Sequence, residues 1–288
     1  MSGDFSNVTI LGGGLLGGSL ALAIPELRQP PTVKLWVRRA ETAAEAGRIG
    51  ISGVTCDLAE AVAEADLIVL AVPVGAMAPL VQSALDSGLR GGCLITDVGS
   101  VKHFPHQEIA PLLAGTNVHF IGSHPMAGSE KNGLSAASID LFKNAACLLT
   151  NDDHVPGTKA LAIERFWQAI GCRTAWMSAA IHDALVARIS HLPHILAASG
   201  ARISLQDPAE GQFGGGGLRD TTRVAGGNPE MWAEILMENR KAITAPLRET
   251  LDDLRQILAS LENGDEEEVR EWLATAKHRR DSYQSPIT

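Results

Sequence analysis

Proton chemistry near neutral pH needs a titratable side chain held where a substrate can reach it. The stretch Phe120 to Leu134, FIGSHPMAGSEKNGL, offers one. It opens as a short apolar strand, breaks at His124-Pro125, and runs into a polar loop with Gly128, Ser129, Glu130, Lys131 and Gly133. Histidine, with an unperturbed pKa of about 6.5, suits proton transfer at cellular pH. A strand end is where an open α/β sheet places its chemistry, although a lone strand-end histidine is more often structural. A second histidine pair, His191 and His194, lies in SHLPH. Three residues apart, the two share a helix face, either as a satisfied structural pair or as a ligand-facing group. No spacing signals a third ligand for zinc, so no metal site is expected. Arg219, Asp220 and Arg223 follow four consecutive glycines with helical spacing.

The elements that must position these groups are legible from periodicity. Val8 to Leu11 is a short apolar strand, Gly12-Gly13-Gly14-Leu15-Leu16-Gly17 matches GxGxxG, and Ser19 to Ile24 reads as a helix. In that context Gly12 permits the tight turn, Gly14 lets the backbone approach a pyrophosphate, and Gly17 lets helix pack on strand. The bland alternative is a glycine turn with no ligand. Val33 to Val37 is the second strand, ending without the acid that a NAD site commonly places there. Arg38 and Arg39 follow instead, and two guanidinium groups suit a 2′-phosphate, so NADP is favoured over NAD. The bland alternative is that both arginines are solvated, or that one stacks on adenine.

The pattern repeats. Leu58 to Ala65 and Ala76 to Ser87 read as helices, and Leu67 to Val72, Cys93 to Val98 and Val118 to Ser123 as strands. Ala146 to Thr150 and Arg173 to Met177 flank a helix from Thr158 to Ile170. Short apolar strands alternating with helices imply an α/β unit with a mostly parallel sheet covered on both faces, spanning residues 1–177. The strand ends at Val72-Pro73, Ser100 and His124 then share one carboxyl edge with the glycine turn.

From Ala179 the strand signals stop, and residues 178–288 read as all-helical. Ala179 to Leu205 is expected as one apolar helix kinked at Pro193. The four glycines from Gly214 are expected to hold no helix. Asn228-Pro229-Glu230 starts a long helix running to Leu261 and kinked near Pro246, and Gly264-Asp265 starts a last one to Arg280. Met231, Trp232, Ile235 and Leu236 are available for a core or a dimer face.

Composition sets outer bounds. The chain has 288 residues, is 45% hydrophobic and carries a formal net charge of −9, enough for two cores and without a nucleic-acid footprint. Cys56, Cys93, Cys147 and Cys172 form no CxxC and are expected as buried thiols in a reducing compartment. The longest apolar runs are broken by glycine or proline and fall short of the about 20 residues a membrane span needs, so a cytoplasmic protein is expected.

These pieces together resemble the prephenate/arogenate dehydrogenase family of tyrosine biosynthesis. The likeness covers nearly the whole chain. It rests on GGGLLGGSLA, on DVGSVK at Asp97 to Lys102, on GSHPMAGSEKNG at Gly122 to Gly133, on SHLPH, and on GLRDTTRVAGGNPEMW at Gly217 to Trp232. The resemblance implies a Rossmann-like domain followed by a helical domain that forms a homodimer. It implies an oxidative decarboxylation in which a nicotinamide cofactor, NADP or NAD, takes a hydride and the ring becomes aromatic. It further implies that His124 accepts the hydroxyl proton, that Ser100 bonds the hydroxyl or orients His124, and that Arg223 binds a substrate carboxylate. Glu130, His194 and Asp220 would complete or gate the pocket, or serve as structural hydrogen-bonding groups. The cofactor would lie along Gly12, Gly14, Leu15, Leu16, Gly17, Arg38, Arg39, Val72, Pro73 and Ser100. Nothing after Arg280 leaves room for the regulatory or mutase segments of some relatives, so neither is expected.

Prephenate is the expected substrate and arogenate the alternative, since Glu130 could greet its ammonium. A β-hydroxyacid dehydrogenase shares the two-domain layout but uses a lysine early in the interdomain helix, and Ala180 to Ser199 contains none. A nucleotide sensor without activity would have lost the base or the carboxylate anchor, yet His124, Ser100 and Arg223 are present.

Overall fold

A computed structural model describes residues 4–128, 133–207 and 209–283. Six strands form the first sheet: β1 (Asn7–Leu11), β2 (Thr32–Trp36), β3 (Val54–Thr55), β4 (Leu67–Leu70), β5 (Leu94–Asp97) and β6 (His119–Phe120). They are all parallel, in the order β3-β2-β1-β4-β5-β6. The order reverses between β1 and β4, which opens a crevice at their carboxyl ends. Side chains alternate between two cores as the period of two requires: Ile10, Val69 and Leu94 face one, and Leu11, Leu70 and Ile95 the other. The crossover helices are α1 (Leu15–Ala23), α2 (Ala40–Arg48), α3 (Leu58–Val62), α4 (Met77–Asp86) and α5 (His103–Leu113).

The expected strand Val118 to Ser123 is two strands in two sheets. After Phe120 the chain leaves the main sheet, and β7 (Gly122–Pro125) joins a second, three-stranded one. There β7 runs antiparallel to β8 (Ala146–Thr150), which pairs in parallel with β9 (Arg173–Met177), with α6 (Gly157–Ile170) between β8 and β9. Gly122 makes the crossing possible: a Cβ there would lie 2.4 Å from Thr150 Oγ1 and 2.9 Å from Lys102 Cδ. His124 therefore sits in the second sheet and not at the edge of the first.

Helices follow from α7 (Ala179–Val186). Five residues of π-helix, Ala187–His191, then lead into α8 (Leu192–Ser204). The widened turn directly before Pro193 takes up the missing N–H and the ring clash that a proline imposes on the preceding turn. α9 (Gly216–Thr222) begins inside the glycine run, contrary to expectation; its two glycines occupy the first turn, where backbone donors have no helical partner anyway. The long helix expected from Pro229 is divided into α10 (Pro229–Glu238) and α11 (Arg240–Asn263). The division falls at Asn239, whose side chain turns inward to buried partners, and Pro246 lies within α11. α12 (Glu266–Asp281) closes the described chain, with Asp265 accepting from Glu268 N and three glutamates in its first turn.

Cys93, Cys147 and Cys172 are buried, but Cys56 is exposed, in the loop after the two-residue edge strand β3. Among the described residues no helix is long and apolar enough to cross a membrane.

Gly17 packs α1 on the glycine turn so closely that a Cβ would lie 2.0 Å from Gly12 O. Gly17→Ala is expected to lower stability by about 1–3 kcal/mol through backbone displacement, read from the urea midpoint.

Candidate active site

The carboxyl edge of the main sheet carries the glycine turn. Gly12 has φ +121°, and a Cβ on it would lie 2.3 Å from Ala71 O, so the turn abuts the end of β4 where Val72 and Pro73 follow. A Cβ on Gly14 would meet no protein atom within 4 Å, and no side chain caps α1, which Leu15 and Leu16 open. An open approach to uncapped helix amides fits a pyrophosphate. Gly13 packs against Val37, and the exposed Arg38 and Arg39 follow at the end of β2 with no carboxylate among these three positions.

Asp97, the last residue of β5, organises the opposite wall. It is fully buried and paired with the ammonium of Lys102, also fully buried. Its Oδ2 accepts from Gly99 N at 2.9 Å and its Oδ1 from Ser123 N at 3.0 Å. One carboxylate thus ties the loop carrying Ser100, which is half-buried, to the strand carrying His124. Ser123 Oγ in turn meets Thr96 Oγ1 at 2.5 Å and accepts from Trp167 Nε1 at 2.9 Å.

His124 is buried, with Nδ1 at 2.9 Å from His182 Nε2. His182 Nδ1 lies 2.8 Å from Asp183 Oδ1. The Asp183 carboxylate also accepts from Lys102 N at 2.8 Å and from His103 N at 3.0 Å, capping the N-terminus of α5 from α7. Burial pushes the Asp183 carboxyl up, but the hydrogen bonds from His182 and the two backbone amides outweigh it and hold it below the usual range. Burial first, then the proximity of His182, Lys102 and His191, where a second cation would be repelled, holds His124 well below the ordinary histidine value. His182 is lowered mainly by burial, against the pull of Asp183. His124 is therefore a neutral imidazole at cellular pH.

A second arm leaves the same aspartate. Asn239 Nδ2 donates to Asp183 O at 2.9 Å and lies 3.0 Å from His191 Nδ1. Burial lowers His191 to about 4. His194 stacks flat on Trp232, ring centroids 3.5 Å apart, and buried His191 Nε2 and His194 Nδ1 have no hydrogen-bond partner among the described residues. Beside them Glu234 Oε1 accepts from Gly75 N at 2.6 Å, joining α10 to the turn after Pro73. Burial, then the charge of Glu234, raises Glu238 to about 7.

The structure thus brings His124, the Ser100 loop and His194 to the junction of sheet and helices. Arg223 and Asp220 are exposed on the turn after α9 and on α9 itself, and Asp220 Oδ1 lies 3.5 Å from Arg219 Nε. Glu130 falls outside the described residues. Sequence reading passed over His182, Asp183 and Asn239, which belong to no motif, and did not single out Asp97 or Lys102 within DVGSVK. Among the described residues no group of three or more His, Cys, Asp or Glu side chains is placed to hold a metal ion.

A dinucleotide-type glycine turn at the carboxyl edge of the sheet, together with a buried neutral imidazole at the junction with the helices, fits a nicotinamide-dependent oxidoreductase. Residues 20–176 match the family model "Prephenate dehydrogenase, nucleotide-binding domain" and residues 178–275 match "Prephenate dehydrogenase, dimerization domain". The cyclohexadienyl dehydrogenase of Zymomonas mobilis is 33% identical over 283 residues, covering 96% of this chain and 95% of its own. The solved structure of Aquifex aeolicus prephenate dehydrogenase with hydroxyphenyl propionate and NAD+ superposes with a TM-score of 0.87 at 27% identity, covering 97% of this chain and 99% of that one. Synechocystis arogenate dehydrogenase gives 0.79 at 27% identity, over 96% and 100% of the two chains. The chain belongs to the prephenate dehydrogenase family.

Two outcomes follow from this geometry. Lys102→Met leaves the buried Asp97 carboxylate without its cation and is expected to cost about 3–5 kcal/mol in urea unfolding. The lowered His124, His182 and His191 take up protons in the unfolded chain near pH 6.5 but not in the folded one. Their contribution to stability is whole above that pH and is lost as pH falls through their folded values. Glu238 works in the opposite sense, losing its contribution as pH rises through about 7. Three imidazoles against one carboxyl predict a urea midpoint that falls between about pH 7 and about pH 5.

Proposed function

We propose that this chain catalyses the oxidative decarboxylation of prephenate to 4-hydroxyphenylpyruvate, with NADP preferred over NAD, as a homodimer formed through its helical part. The carrying observation is the buried His124, neutral and held at Nδ1 by His182, beside the Ser100 loop. The nicotinamide, when bound, supplies the acceptor for the hydride leaving the ring carbon that bears the 4-hydroxyl. His124 takes the hydroxyl proton as that hydride departs. The bond to the ring carboxylate then breaks, carbon dioxide leaves, its electron pair completes the aromatic ring, and the proton returns to the oxygen as a phenol. No net proton is gained or lost. Aromatisation drives the reaction, so the protein's work is orientation, one base and anion binding. Ser100 bonds the hydroxyl, and Arg223 meets a substrate carboxylate with its planar fork. Its exposure in the described chain makes that contact weaker than a buried one. Arg38 and Arg39 hold the 2′-phosphate where Val37 leaves no acid for a bare ribose.

The dimer reading rests on the matched dimerization model and on α11, where Leu251, Leu254, Leu258 and Leu261 are exposed at heptad-like spacing. Residues 1–177 and 178–288 are read as the two domains. Arogenate is a second reading, favoured by the arogenate and cyclohexadienyl dehydrogenases among the relatives.

Steady-state reduction of NADP and NAD, each with prephenate and arogenate, tests the assignment; silence in all four with cofactor binding intact rejects it. His124→Asn is expected to keep cofactor affinity and lose about 10²–10⁴-fold in kcat. Wild-type turnover in that variant removes the base assignment. Arg38→Ala with Arg39→Ala is expected to weaken NADP far more than NAD in binding titrations, and equal weakening of both contradicts the 2′-phosphate reading.

A further inference from the structure

We propose that Asp183 and His182 are positioning residues for the base: a carboxylate–imidazole–imidazole line that holds His124 as the Nδ1–H tautomer and leaves Nε2 bare as its proton-accepting atom. The inference rests on the reading of His124 as the base.

Donor and acceptor capacity fixes the position of each proton along the line. Asp183 is ionised and accepts from two backbone amides, so against His182 Nδ1 it can only accept. His182 Nδ1 therefore carries a proton. A second proton on His182 would place a cation in a fully buried position with the Lys102 ammonium nearby, which burial disfavours. His182 is then neutral and its Nε2 is a bare acceptor. At 2.9 Å from that acceptor, His124 Nδ1 must be the donor. With Nδ1 protonated and the ring neutral, the lone pair of His124 is at Nε2. Each step depends on the one before, and the sequence starts at a carboxylate that α5 keeps charged.

The line also answers an energetic difficulty. Burial that keeps His124 neutral also makes it a weak base, and the imidazolium formed on taking the substrate proton would be costly there. When the substrate O–H breaks and Nε2–H forms, the new positive charge is shared toward His182, and the Asp183 carboxylate beyond it offsets the charge. Other groups around the base do not fill this role. Lys102 repels a cation and is itself paired with Asp97, and His191 is neutral with Nδ1 occupied by Asn239. The logic matches that of the buried aspartate in the serine-protease triad, whose amide replacement yields the wrong histidine tautomer.

Nitrogen-15 NMR of histidine-labelled protein, with the His124 signals assigned by difference from His124→Asn, reads the tautomer directly. The expected result is a pyrrole-type Nδ1 and a pyridine-type Nε2; the reverse overturns the proposal. Asp183→Asn is expected to lower kcat by about 10²–10⁴-fold, to shift the acidic limb of the kcat–pH profile to lower pH, and to leave KM within about threefold. Asp183 also caps α5, so a pair at His182 separates positioning from folding. His182→Leu removes both hydrogen bonds and is expected to follow Asp183→Asn. His182→Gln can donate to Asp183 and accept from His124, and is expected to recover at least tenfold in kcat over the leucine variant. Equal turnover in the leucine and glutamine variants, or a wild-type pH profile in folded Asp183→Asn, refutes the line. If His124→Asn is silent while these variants are unaffected, the base stands and only its positioning falls; an active His124→Asn removes both.

Discussion

One buried carboxylate, Asp183, is the constraint on which the junction of the two halves depends. Both of its oxygens accept backbone amides from the start of α5, one also meets His182, and its own carbonyl is held by Asn239. Ionic groups in such surroundings persist only when they are well paired or hydrogen-bonded, and here the helix N-terminus supplies donors that keep the charge in place. α7 delivers the residue, α5 fixes its protonation, and the break between α10 and α11 exists because Asn239 turns inward to reach it. Asp97 and Lys102 repeat the device on the side of the sheet, where a carboxylate with a cation and two amides aligns the Ser100 loop with β7.

Much of the α/β half was legible because its signals are local. The run in β4 is buried on both faces and reads as an unbroken apolar strand, and the glycine turn is recognisable from spacing within six residues. The sheet change at Gly122 was not legible. A strand that leaves one sheet for another keeps the same apolar run, and the cause lies in Thr150 and Lys102, far along the chain. The helical half failed in the same way at Asn239, where helix propensity continues and a buried tertiary contact interrupts it. The start of α9 within the glycines shows the converse: poor propensity tolerated where the first turn lacks helical acceptors.

The site divided along similar lines. His124, Ser100 and His194 stood out by motif, and the structure gathers them at one junction. His182 and Asp183 were hidden in an apolar helical stretch, where a histidine beside an aspartate looks ordinary. Their meaning comes from His124, 58 residues earlier in sequence. Arg223 had the opposite fate, being prominent in sequence and exposed in the described chain.

The links that complete the site join residues far apart: Lys102 to Asp183 over 81 positions, His124 to His182 over 58, Gly75 to Glu234 over 159. Contacts of such separation form late, because loop-closure entropy must be overcome before they return any stability. The α/β half can reach its sheet order from shorter connections, but His124 acquires its partners only when α7 docks. During synthesis the whole parallel sheet therefore leaves the ribosome before α7 exists to hold the His124 ring.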